Sequence, residues 1–280
     1  MIREITSEQI EKTVSRLCIE SNCVLDANLL SCMKDAAENE YGKSKQAMEL
    51  LIENARLAAE RKQPICQDTG MTVVFLEIGQ DVHISGDNLS NAVNNGVAKA
   101  YKEGYFRSSV VDGPLDRKNT GNNTPAVIHT EIVSGDRIKI IVAPKGFGSE
   151  NMSAVAMLKP AQGVQGVKDF IVRTVINAGA NPCPPIVVGV GIGGTIEKAA
   201  LLSKKALLRP AGQQNADNKL SMLESELLSL INETGIGPQG FGGKTTALSV
   251  AVETYPTHIA GLPVSVNICC HVCRHAEEEI

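Results

Sequence analysis

Apolar positions recur at helical spacing near the start of the chain and in short alternating or continuous runs further on. Ile10, Val14 and Leu17 share one face of a helix over 7–20, which Thr6 and Gln9 open as a capping box. Asp26 starts a second helix carrying Leu29, Leu30, Met33 and Ala37. Residues 44–61 place Ala47, Leu50, Leu51, Ala55 and Ala58 on the face of a third. Strands are predicted over 71–78 and 82–85, then a helix over 89–104 capped near Asp87. Strands 126–133 and 137–143, joined by Ser134-Gly135-Asp136, read as a hairpin. Helices over 163–178, 195–206 and 217–233 then intersperse with strands 186–190, 247–254 and 264–269. The pattern predicts a mixed α/β fold of the α+β kind, with a helical N-terminal region packed on a mixed sheet. No repeat or linker interrupts it, so one domain over 1–280 is expected.

Composition narrows the function classes. The 280 residues carry a net charge of −4 and no long basic run, which argues against nucleic acid as a partner. No stretch approaches the ~20 apolar residues that span a bilayer. The first residues, Met1 to Gln9, lack the apolar core of a signal peptide, so a cytoplasmic protein with no membrane association is expected. In that setting the eight cysteines are buried thiols or metal ligands rather than a disulfide framework.

Two glycine-rich stretches imitate nucleotide-binding motifs. Gly189-Val190-Gly191-Ile192-Gly193-Gly194 satisfies G-x-G-x-x-G, but no acidic residue ends a second strand about 20 positions on. Gly237 to Thr245 resembles a P-loop with one residue too many before Gly243-Lys244-Thr245, and a strand rather than a helix follows. A glycine loop offering backbone N–H groups to an anionic substrate remains open for this second stretch.

The cysteines fall into two sets. Cys18, Cys23 and Cys32 lie in or beside the first helices and read as small buried hydrophobes. Cys66, Cys183 and Cys270 sit in irregular backbone at element ends, the first two beside prolines that hold the loop in non-helical geometry. Cys270-His271-Val272-Cys273 contains C-x-x-C without the second knuckle of a structural zinc site and without a full thioredoxin-like context. The spacing points to a metal or iron–sulfur site, with zinc, redox thiols and simple burial as the alternatives.

Pro64-Ile65-Cys66-Gln67-Asp68-Thr69-Gly70, Asn181-Pro182-Cys183-Pro184-Pro185 with the glycines at 189–194, and Leu207-Leu208-Arg209-Pro210 belong together with two further runs. These are Gly235 to Thr246 and Thr257 to His271. Jointly they resemble the iron–sulfur class I fumarate hydratase/L-tartrate dehydratase family, at its alpha subunit or the N-terminal half of fused members. The resemblance implies a [4Fe–4S] cluster held by Cys66, Cys183 and Cys270, with one iron left open as a Lewis acid. Cys270 matches the cysteine directly before the histidine, Cys269 takes a variable position, and Cys273 departs from the pattern. The resemblance further implies substrate contacts from Gln67, Arg107 and the backbone near Gly146 and Gly148. Asp68 and His258 match catalytic positions, Asp68 in proton transfer or in orienting a base. Of the other histidines only His129 merits reconsideration. The implied partners are a small dicarboxylate and a separate beta subunit, in an assembly of the alpha2beta2 type. The implied activity is reversible hydration of fumarate to (S)-malate, a tricarboxylic acid cycle step. L-Tartrate dehydration, or a non-enzymatic iron–sulfur or zinc-binding regulator, is the alternative.

Overall fold

The computed structural model describes residues 2–280. In chain order it contains β1 (Arg3–Thr6), α1 (Ser7–Cys23), α2 (Ala27–Asn39), α3 (Gly42–Arg61), β2 (Met71–Gly79), β3 (Val82–Ser85) and α4 (Leu89–Glu103). There follow β4 (Val127–Val133), β5 (Ile138–Lys145), α5 (Phe147–Glu150), β6 (Ala154–Leu158) and α6 (Gly163–Ala178). The remainder is β7 (Ile186–Gly193), α7 (Ile196–Ala206), α8 (Asn218–Asn232), β8 (Ala247–Tyr255), β9 (Leu262–Cys269) and β10 (Ala276–Glu279). The α+β class expected from the sequence is what is found. The short strands β1, β6 and β10 were not expected. The chain forms two compact units, one from residues up to Leu25, Ala55–Phe147 and Arg274–Ile280, the other from Asp26–Asn54 and Gly148–Cys273.

In the first unit the sheet order is β10-β5-β2-β4, with β2 antiparallel to β5 and parallel to β4. The expected hairpin between 126–133 and 137–143 is therefore not formed, because β2 lies between those two strands. The reason is burial. Interior residues of β2 are apolar on both faces and need two neighbours, whereas β4 exposes much of its length and suits an edge. The turn at Ser134–Asp136 instead folds against the end of β2, where a Cβ on Gly79 would lie 2.4 Å from the Gly135 carbonyl oxygen. Helices α1 and α4 pack on this sheet, with Ile10, Val14, Val93 and Val97 against Val74, Leu76, Ile138 and Ile140. The Thr6–Gln9 capping box that opens α1 is present, and Asn88, next to Asp87, caps α4 as expected.

The second unit is built on the sheet β6-β9-β7-β8, in which β7 runs parallel to β8 and antiparallel to β9. Alternation along β7 sends Val188 and Val190 into a core shared with α6 and α8. The opposite face meets α7. A Cβ on Gly189 would lie 2.1 Å from the Ser203 carbonyl oxygen, and one on Gly191 would lie 2.1 Å from that of Ala199. The G-x-G-x-x-G stretch thus serves close helix–strand packing. Among the described residues no helix is long and apolar enough to cross a membrane.

Candidate active site

In the first unit, the segment between α3 and β2 carries Cys66, Gln67 and Asp68. Asp68 organises it. Its backbone N–H donates to Cys66 Sγ at 3.4 Å. Its Oδ1 accepts from the Gly70 N–H at 3.0 Å and its Oδ2 from the Phe147 N–H at 2.9 Å. The carboxylate therefore joins the cysteine loop to the glycine turn after β5, where a Cβ on Gly146 would stand 3.1 Å from Oδ2. Gly70, at φ 79°, turns so close under Lys145 that a Cβ there would lie 2.7 Å from its backbone.

Around this loop the Thr69 and Gly70 carbonyl oxygens are held by side chains. The Tyr101 hydroxyl lies 2.6 Å from the Thr69 oxygen and 2.9 Å from that of Gly70. Buried Asn123 donates to the Gly70 oxygen and accepts from the N–H groups of Ser109 and Val110, which ties the 107–124 loop to the same point. The Thr69 hydroxyl donates to the Arg107 carbonyl at 3.0 Å. Arg107 and Gln67 are exposed, and among the described residues neither side chain is hydrogen-bonded or ion-paired.

Arg274 was not anticipated from the sequence. Only 5% exposed, it donates from Nη2 to the Asp68 carbonyl and from Nε to that of Pro144, at 3.4 Å for the latter. Its Nη1 is buried without a partner among the described residues. Such a residue carries no local motif, because its partners are carbonyls remote in sequence.

In the second unit, Cys183 is exposed and adopts φ 53°, a left-handed conformation unusual for a side-chain-bearing residue. Gln239 fixes the next residue by donating to the Pro184 carbonyl from both backbone and side chain, each at 2.7 Å. Cys269 ends β9 buried, and Cys270 follows it partly exposed. His271 Nδ1 stands 3.0 Å from the Cys183 carbonyl, so the ring donates and holds the Cys183 loop to the Cys270 segment. Gly148 approaches the same loop, a Cβ there reaching within 4.0 Å of the Asn181 oxygen. Glu150 pairs with Lys204 at 2.6 Å and accepts from Asn267. Glu150 is thereby tied to α7 and β9 within this unit. His258 lies in the exposed turn between β8 and β9, its Nδ1 accepting from the Ala260 N–H at 3.2 Å.

Other candidates have structural occupations. The N–H groups of Lys244 and Thr245 donate to Glu40 Oε1 at 2.9 and 2.6 Å, so a carboxylate of the chain already fills the P-loop-like turn. Arg209 of the L-L-R-P stretch pairs with buried Glu224. His129 stacks on Phe75 at 5.0 Å between ring centroids. Burial pushes the Cys18 thiol up to about 12, against the smaller opposing pulls of Thr72 and Arg274, and likewise raises Cys23. These two are neutral thiols. None of the eight cysteines forms a disulfide.

The residues fit a sulfur-ligated cluster in their donor chemistry. Cys66, Cys183 and Cys270 lie in loops and are partly or fully exposed, so their sulfurs are open to iron, and Cys66 Sγ already accepts an amide N–H. Among the described residues no three His, Cys, Asp or Glu side chains group closely enough for a single metal ion.

Comparison with known proteins gives consistent matches. The family model described as fumarate hydratase (Fumerase) matches residues 11–279. The chain is 43% identical over 279 residues to the protein named "Putative L(+)-tartrate dehydratase subunit alpha" of Methanocaldococcus jannaschii, covering 97% of this chain and 98% of that one. It is 32% identical over 248 residues to the L(+)-tartrate dehydratase subunit alpha of Escherichia coli K12, covering 88% and 81%. The same identity and coverage hold for the subunit so named from Shigella sonnei.

Proposed function

Because the chain belongs to the iron–sulfur fumarate hydratase family, we propose that it is the cluster-bearing alpha subunit of a heteromeric hydro-lyase acting on a four-carbon dicarboxylate. The carrying observation is the build of the Cys66 loop. Its backbone and the Asp68 carboxylate are held by the unit's own donors, while the Gln67 amide and Arg107 guanidinium are left without protein partners among the described residues. A pocket for a dianion needs such groups, since Arg can fork onto a carboxylate and Gln can donate to a second oxygen.

Cys66, Cys183 and Cys270 hold the [4Fe–4S] cluster in this reading, and the cluster supplies Lewis acidity at the iron without a protein ligand. Asp68 retains a free lone pair on each oxygen beyond its two amide bonds, enough to orient or receive a proton. In the same reading the backbone near Gly146 and Gly148 contributes to stabilising charge that develops on a substrate carboxylate. His258, exposed on its turn, acts at the substrate only with the enzyme assembled. The whole chain serves as one functional domain with a beta subunit as partner, in an alpha2beta2 assembly.

Fumarate hydration to (S)-malate is the first reading, on the cysteine-free form of the glycine loop Lys145–Asn151. L-Tartrate dehydration is the second, and the names of the relatives matched along the chain favour it equally. Anaerobic reconstitution with iron, sulfide and the beta subunit, followed by parallel assays on fumarate, L-tartrate and mesaconate, decides between them. Faster turnover of fumarate is expected; faster turnover of L-tartrate replaces the first reading with the second.

A further inference from the structure

Arg274 is a buried cation that the proposed chemistry leaves unused. Its guanidinium spans two backbone carbonyls, Asp68 in the cysteine loop and Pro144 at the end of β5, and Nη1 remains buried with no partner among the described residues. No carboxylate of the described residues pairs with it. Asp68 turns its own carboxylate away to the amides of Gly70 and Phe147. Cys18, Cys23 and Tyr101, which lie near Arg274, are each raised by burial and so are neutral. A guanidinium does not deprotonate in proteins, and a buried charge left uncompensated is costly. A negative charge on the Cys66 side would remove that cost.

We propose that Arg274 is a positioning residue for Cys66, clamping the Asp68 carbonyl to fix the loop and lending its positive charge to the anionic cluster bound there. This rests on the cluster reading above. Both parts of the residue contribute. The fork fixes the carbonyl of Asp68, the residue whose own N–H, in the preceding peptide, donates to Cys66 Sγ, and the charge favours the more reduced, more negative cluster.

The test uses the full chain with its beta subunit, reconstituted anaerobically as wild type, Arg274→Lys and Arg274→Gln. Three quantities are read: cluster absorbance, cluster lifetime against an iron chelator, and midpoint potential. Wild type should take up the cluster. Arg274→Gln should shorten the lifetime by about 10–100-fold and lower the potential, while Arg274→Lys should restore the potential without the lifetime, since an ammonium cannot fork onto two carbonyls. Should Arg274→Gln fail to fold, an Arg274→Lys lifetime equal to wild type overturns the clamp. A potential and lifetime unchanged in both variants overturn the proposal and leave the cluster reading standing. Absence of a cluster from wild type overturns both.

Discussion

Asp68 is bonded through both carboxylate oxygens to backbone amides, which constrains what its replacement can reveal. Asparagine offers one oxygen and one NH2 group, so either the Gly70 or the Phe147 N–H would face another donor. The loss is about 1–3 kcal/mol for a donor left unsatisfied. Asp68→Asn should therefore keep the cluster by absorbance, lower the unfolding temperature of the cluster-free chain, and reduce turnover by about 100-fold or more. Turnover within a few-fold of wild type would remove Asp68 from the chemistry. Cys66 and Cys183 stood out in the sequence because proline neighbours mark irregular backbone. Arg274 and His271 did not, for a physical reason: each acts on a carbonyl distant in the chain, and every residue has one. Burial sets Cys18, Cys23, Cys269 and Cys273 apart from the candidate ligands, whereas Cys32, expected to be buried, is only partly so; helical periodicity had already placed Cys18 among the apolar side chains.

At the level of elements, the helices were legible because their apolar faces and caps are local. Strand pairing was not. Proximity in sequence suggested that β4 and β5 pair, whereas the demand of β2 for neighbours on both edges separated them. The nucleotide-like glycines misled for a related reason. A glycine chosen for close packing and one chosen for phosphate approach look identical in sequence, and only the position of α7 distinguishes them. Gly191→Ala should push α7 off β7 and destabilise the chain by about 1–3 kcal/mol, read as a lowered midpoint in thermal or urea unfolding. Tolerance of alanine there without loss would mean that the helix–strand approach is looser than described.

The whole chain alternates between its two compact units four times, at 25/26, 54/55, 147/148 and 273/274. No composition shift marks those points, which is why the sequence suggested no boundary. The groups proposed to meet a substrate are few for a dianion: one arginine, one glutamine, one carboxylate, one histidine and backbone amides. The isolated chain should accordingly bind the cluster, by absorbance and iron content, yet turn over neither fumarate nor L-tartrate until the beta subunit is added. Substantial turnover by the chain alone would refute the division of labour. The strand β10 completes the β5 edge of the first unit's sheet from the far end of the 280 residues. Synthesis is vectorial, so on the ribosome that edge stays uncovered until everything between has been translated. An uncovered edge is a template for pairing with other chains. The nascent polypeptide is thus most exposed to misassembly just when the cysteines of both units already exist but the first unit is unfinished.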